Sequence, residues 1–130
     1  MPEPKRILIV DDSSNMRRLV RTNLESQPGL HVCGEAADGM EAIDAAIDLK
    51  PDLIVLDLCM PRMNGLEAAA ALHLLLPSTP IVLFTLHEDI VTENQTRSVG
   101  IKAVISKMGE MNALLREVQR LVGADRSISA

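Results

Sequence analysis

Ile7-Leu8-Ile9-Val10-Asp11-Asp12 and Leu53-Ile54-Val55-Leu56-Asp57 decide the fold. Each is a run of four aliphatic residues that stops abruptly at a carboxylate. Unbroken aliphatic runs suit strands covered on both faces, as in a parallel sheet, whereas a half-exposed strand would alternate with polar residues. The acids then surface at the carboxyl ends of their strands, where open α/β sheets place their ligand sites. Three carboxylates a few ångströms apart repel one another unless a cation neutralises them. A hard divalent ion with oxygen ligands answers that need. A metal beside a free carboxylate points in turn to phosphate chemistry.

Outward from these two runs, apolar strands alternate with helical patterns, as in a parallel α/β sheet. The first strand covers 5–10. Ser13 or Ser14 then caps a helix with Met16, Leu19, Val20 and Leu24 on its apolar face, ended by Pro28-Gly29. Residues 31–36 form a weaker edge strand. Asp38 caps a second helix carrying Met40, Ile43 and Ile47 on one face and stopping before Pro51. After the strand 53–57 comes the loop Leu58-Cys59-Met60-Pro61-Arg62-Met63-Asn64-Gly65. A helix through Ala68–Leu76 ends at Pro77, strand four is Ile81-Val82-Leu83-Phe84, and strand five is 102–106. The last helix aligns Met111, Leu114, Leu115, Val118, Leu121 and Val122. Segment 88–99 is expected to be the least stable helix, with only Ile90, Val91 and Val99 as its apolar face among mediocre helix formers. One domain over 1–123 and a tail over 124–130 are expected.

Composition narrows the function classes. Net charge is −5 and no basic stripe tracks a phosphate backbone, which argues against direct nucleic-acid binding. Arg17, Arg18 and Arg21 read as a solvated helix face. The chain has no Trp or Tyr and a single Phe, Phe84, so it lacks the platforms on which flavins or single-stranded nucleic acids stack. No span has the character of a signal peptide or membrane helix, so a cytoplasmic protein is expected. Cys33 and Cys59 lack zinc-site spacing and are expected to be buried, unpaired thiols.

Two more residues end strands at the acidic edge: Thr85 after Phe84, and Lys107 after Ser106. Asp11, Asp12, Asp57, Thr85 and Lys107 together provide metal ligands, a nucleophile, a hydroxyl donor and a fixed cation. That set stabilises a phosphoryl group in transfer, and carboxylates can accept one as an aspartyl phosphate. With the loop after Asp57, these residues resemble the receiver domain of bacterial two-component response regulators over residues 5–122. The resemblance implies a doubly wound, flavodoxin-like α/β fold, its five-stranded parallel sheet ordered 2-1-3-4-5 and flanked by five helices. It implies Asp57 as phosphoacceptor from a sensor histidine kinase or histidine phosphotransfer protein. Mg²⁺ would be held by Asp11, Asp12, Asp57 and the backbone carbonyl of Cys59, and phosphoryl oxygens by Thr85 and Lys107. It also implies a switch in which the face of helix 88–99, strand five and the last helix changes partners. That partner would be a downstream protein, an output domain or, after phosphorylation, a second copy of the chain. The resemblance extends to receivers joined to helix-turn-helix transcription factors.

Three positions depart from the family pattern. Val104 stands where an aromatic usually takes part in the switch. Met108 follows the lysine where proline is frequent, so a trans peptide is expected there. Leu86 replaces a small residue beside Thr85 and is expected to restrict access. His87 lies near enough to influence water attack, while Asp38 reads as a helix cap, Glu35 as an edge acid, and His31 and His73 as surface or boundary residues. Two other classes compete. An aspartate-nucleophile phosphatase usually carries an acid two residues after its nucleophile, and Cys59 stands there. A pseudo-receiver would bind partners without phosphorylation, against which the complete acid, threonine and lysine set argues.

Overall fold

The computed structural model describes residues 3–123, so the expected tail 124–130 lies outside the described residues. Five strands form one parallel sheet: β1 (Lys5–Val10), β2 (Leu30–Ala36), β3 (Leu53–Leu56), β4 (Ile81–Thr85) and β5 (Ile101–Ser106). Their order is β2-β1-β3-β4-β5, the doubly wound arrangement expected. The α-helices that follow them in turn are α1 (Ser14–Glu25), α2 (Gly39–Leu49), α3 (Gly65–Leu75), α4 (Glu93–Ser98) and α5 (Met111–Val122).

Alternation along the strands divides the core in two. Leu8, Val10, Ile54, Leu56, Ile81 and Leu83 point toward α2 and α3 and meet Ala42, Ala46, Ala68, Ala69 and Leu72. Their neighbours Ile7, Ile9, Leu53, Val55, Val82 and Phe84 point toward α1 and α5 and meet Val20, Leu24, Leu114, Leu115 and Val118. The unbroken aliphatic runs are explained by this two-sided burial.

On two helices the buried face differs from the expected one. In α2, Ala42 and Ala46 face the sheet with Ile43 half-buried, while Met40 and Ile47 are 55% and 50% exposed. Alanines four apart let the helix backbone approach sheet and α3 closely, and the larger residues are turned outward. In α1, Val20 and Leu24 are buried and Met16 half-buried, but Leu19 is exposed. Segment 88–99 is not one helix. A 3₁₀ turn, Glu88–Ile90, precedes the six-residue α4, which Thr92 and Gln95 open by exchanging side-chain and backbone hydrogen bonds. Ile90 is 60% exposed, and Thr96 fills the buried position instead.

Neither cysteine is buried. Cys33 is half-buried on β2, its thiol donating to the Ile7 carbonyl at 3.5 Å, and burial pushes that thiol up from its ordinary value. Cys59 is exposed because it belongs to the loop beyond β3 rather than to the sheet. The described peptide bonds are all trans, Lys107–Met108 included.

Candidate functional site

The sheet ladder continues one residue past the strand ends. Asp11 N–H donates to the Ala36 carbonyl at 3.0 Å, Asp57 N–H to Val10 at 2.9 Å, and Lys107 N–H to Thr85 at 2.9 Å. These bonds fix the backbones of Asp11 and Asp57 next to each other, and that of Lys107 beside Thr85, along the same carboxyl edge. Lys107 Nζ lies 2.6 Å from Asp11 Oδ2 and 3.5 Å from Asp57 Oδ2, with all three side chains nearly out of solvent. Asp11 is oriented by its own turn. Its Oδ1 accepts the Ser13 N–H at 2.9 Å, and its carbonyl accepts Arg17 Nη1 at 2.6 Å.

Asp12 is exposed and completes a cluster in which one oxygen from each of Asp11, Asp12 and Asp57 lies within 4.8 Å of the others. Burial pushes the Asp57 carboxyl above its ordinary value. The Lys107 ammonium opposes that rise, and the Asp11 carboxylate adds to it. Three carboxylates against one ammonium leave an excess of negative charge equal to that of a dication. The donors are all oxygens, the set a hard divalent ion takes, and Mg²⁺ fits them.

A cleft of about 300 Å³ opens on this cluster, with Cys59, Leu86, His87 and Met16 on its walls. Leu86 lines this cleft and is 53% exposed. Thr85 is not among the wall residues. It is fully buried, and its Oγ1 accepts the His87 N–H at 3.1 Å. Val104 lies elsewhere, on the wall of a separate cavity of about 510 Å³ between α4 and β5. The edge thus brings together Asp11, Asp12, Asp57, Cys59 and Lys107, with Thr85 beneath them and Val104 apart.

Sequence reasoning missed residues that hold the site from outside. Arg17, read as solvated, also pairs with Glu35 at 2.9 Å, and Arg21 reaches Glu35 at 2.7 Å. Burial raises the Glu35 carboxyl, but the hydrogen bonds from Arg21 and Arg17 outweigh it and hold the group below its ordinary value. Gly65 opens α3 against the backbone of Asp57 and Leu58, donating to the Leu58 carbonyl at 2.6 Å. The loop quoted above ends on this glycine, and the Asn64-Gly65 pair signals its place: an N-cap followed by a residue without a side chain.

The family described as the response regulator receiver domain matches residues 7–119. The chain belongs to this family. A protein-glutamate methylesterase/protein-glutamine glutaminase of Thermotoga maritima is 36% identical over 115 residues, which are 87% of this chain but 33% of that protein. The corresponding enzyme 4 of Myxococcus xanthus is 42% identical over 106 residues, 81% of this chain and 30% of its own length. This receiver domain therefore spans only about a fifth to a third of the length of the curated relatives it matches. Among solved structures, the response regulator domain of Thermotoga maritima CheB superposes with a TM-score of 0.83 at 30% identity, covering 95% of this chain and 99% of that one. Among the described residues no helix is long and apolar enough to cross a membrane.

Proposed function

We propose that this receiver domain is a phospho-accepting switch in which Asp57 takes a phosphoryl group from a phosphohistidine. The donor would be a sensor histidine kinase or a histidine phosphotransfer protein. The observation that carries the reading is the buried Asp57 carboxylate sharing Lys107 with Asp11, beside Asp12.

Asp57 attacks phosphorus with a carboxylate oxygen. An O–P bond forms as the donor's P–N bond breaks, and the imidazole leaves with the electron pair. Lys107, already held between two carboxylates, stays within reach of the phosphoryl oxygens and offsets their charge. The Ser13 N–H and Arg17 keep Asp11 turned toward Lys107. Thr85 uses its oxygen to accept from His87, so its own hydroxyl proton is available to a phosphoryl oxygen once the 85–87 turn opens. Asp11, Asp12, Asp57 and the Cys59 carbonyl would hold Mg²⁺, which when bound supplies positive charge against the carboxylates and the incoming phosphoryl oxygens.

Residues 1–123 act as the receiver unit in this reading, in the cytoplasm. The chain catalyses only its own phosphorylation and dephosphorylation. Movement of Thr85 re-poses the 3₁₀ turn and α4, and the face of α4, β5 and α5 then meets a downstream protein, an output domain or a second phosphorylated copy.

Intact mass after incubation with acetyl phosphate tests this directly, with and without Mg²⁺ and beside Asp57→Asn. One phosphoryl adduct requiring both Mg²⁺ and Asp57 is expected. No adduct from acetyl phosphate or from a phosphorylated kinase would leave a partner-binding pseudo-receiver.

A further inference from the structure

Among the described non-glycine residues only Lys50 and Arg62 adopt positive φ, at 48° and 69°. Lys50 is the C-cap of α2, an ordinary place for a left-handed residue. Arg62 caps nothing. It lies inside the loop that follows β3, where a left-handed arginine persists only if its surroundings hold it.

Those surroundings are the start of α2. The Arg62 guanidinium donates through Nη2 to Asp38 Oδ2, although the arginine side chain is otherwise 71% exposed. Asp38 is buried, and its other oxygen caps α2 by accepting the Glu41 N–H at 2.9 Å. One carboxylate thus serves the helix with one oxygen and the loop with the other. The next loop residue is seated on the same helix end: Met63 packs so close to Gly39 that a Cβ there would lie 2.7 Å from its sulfur. The Glu41 N–H and the Arg62 guanidinium hold the Asp38 carboxyl below its ordinary value against the effect of burial.

We infer that Arg62 is a positioning residue: its ion pair with Asp38 clasps the loop 58–64 to the start of α2 and thereby fixes Cys59 against Asp57. The loop's other end is fastened by Gly65, which bonds to Leu58. Cys59 lies between these two fastenings, and its carbonyl is one of the oxygens assigned above to Mg²⁺. The inference about the cation rests on that assignment; the inference about the loop does not. Groups that hold metal ligands from outside commonly change affinity by about tenfold or more when removed.

Hydrogen exchange and Mg²⁺ titration of Arg62→Ala, Asp38→Asn and the double variant test the clasp. Asparagine caps a helix as well as aspartate, so the Asp38 variant keeps α2 while losing the charge. The amides to follow are Met63 and Gly65, which donate within the loop to Pro61 and Leu58 at 2.7 and 2.6 Å. Both single variants should speed exchange at these amides and leave β1 and β3 unchanged. The double variant should add nothing beyond either, since each removes the same pair. Calorimetric Mg²⁺ affinity should fall about tenfold in each, and Arg62→Lys should recover most of it. Unchanged loop exchange, or single effects that simply add, would overturn the clasp. Wild-type protein that binds no Mg²⁺ would defeat the cation assignment, while the exchange measurement would still decide the clasp.

Discussion

Gly65→Ala is the sharpest test of how the fold positions Asp57. A Cβ on residue 65 would lie 2.4 Å from the Asp57 carbonyl oxygen and 2.7 Å from Leu58 Cα. Both contacts are backbone, so no rotamer can relieve them. Ordinary heavy-atom contacts begin near 3.5 Å, so α3 must retreat by about 1 Å from the end of β3. That retreat stretches the 2.6 Å bond from Gly65 N–H to the Leu58 carbonyl beyond useful length, a loss of about 1 kcal/mol. Overpacking adds about 1–3 kcal/mol. Alanine's helix propensity returns about 1 kcal/mol at most. A net loss of about 2 kcal/mol should lower the melting temperature by about 6–8 °C in a domain of this size. Thermal melts followed by circular dichroism measure this. Gly109→Ala is the control, because its Cβ would meet only the Ser106 carbonyl, at 3.4 Å. A Gly65→Ala protein melting no lower than wild type would refute the reasoning.

Mg²⁺ at tenfold excess over its dissociation constant should stabilise the unphosphorylated protein by about 1.4 kcal/mol, and Asp12→Ala should abolish that gain in a thermal-shift titration. Asp57→Asn, melted in chelator from about pH 4 to about pH 8, should be the more stable protein at neutral pH. The sign follows from the raised Asp57 carboxyl: the folded state binds the extra proton, so wild-type stability falls as pH rises from the ordinary value near 3.8 through the folded value. The amide has no such slope, and an advantage independent of pH would contradict this account. Leu83→Ala, at a fully buried position under α3, should cost about 3 kcal/mol in urea denaturation.

How much of this was legible in the sequence varies with the physics of each element. The strands were readable because two-sided burial demands unbroken aliphatic runs, and the runs at 7–10, 53–56 and 81–84 end where the site begins. The acids and Lys107 were readable because strand ends in such a sheet share one edge. Helix faces were less so. The run Met40 to Ile47 contains both large and small apolar residues, and periodicity alone does not say that the alanines go inward. Close approach to α3 decides that, and it is a property of the neighbour. Segment 88–99 breaks at Val91 because Thr92 and Gln95 start a helix of their own, a capping pattern that is visible in the sequence.

The residues that hold the site are the hardest to read, and for a common reason. Asp38 looks like a helix cap and is one. Its second oxygen is committed to Arg62, which is 24 positions away and carries no signal of its own. Arg17 looks solvated, yet it holds the Asp11 carbonyl and Glu35 together. In each case a single polar side chain satisfies two elements at once, and sequence spacing reports only the nearer one. The chemistry of the edge is therefore written at the ends of successive strands, whereas its rigidity depends on side-chain pairs that no strand pattern announces.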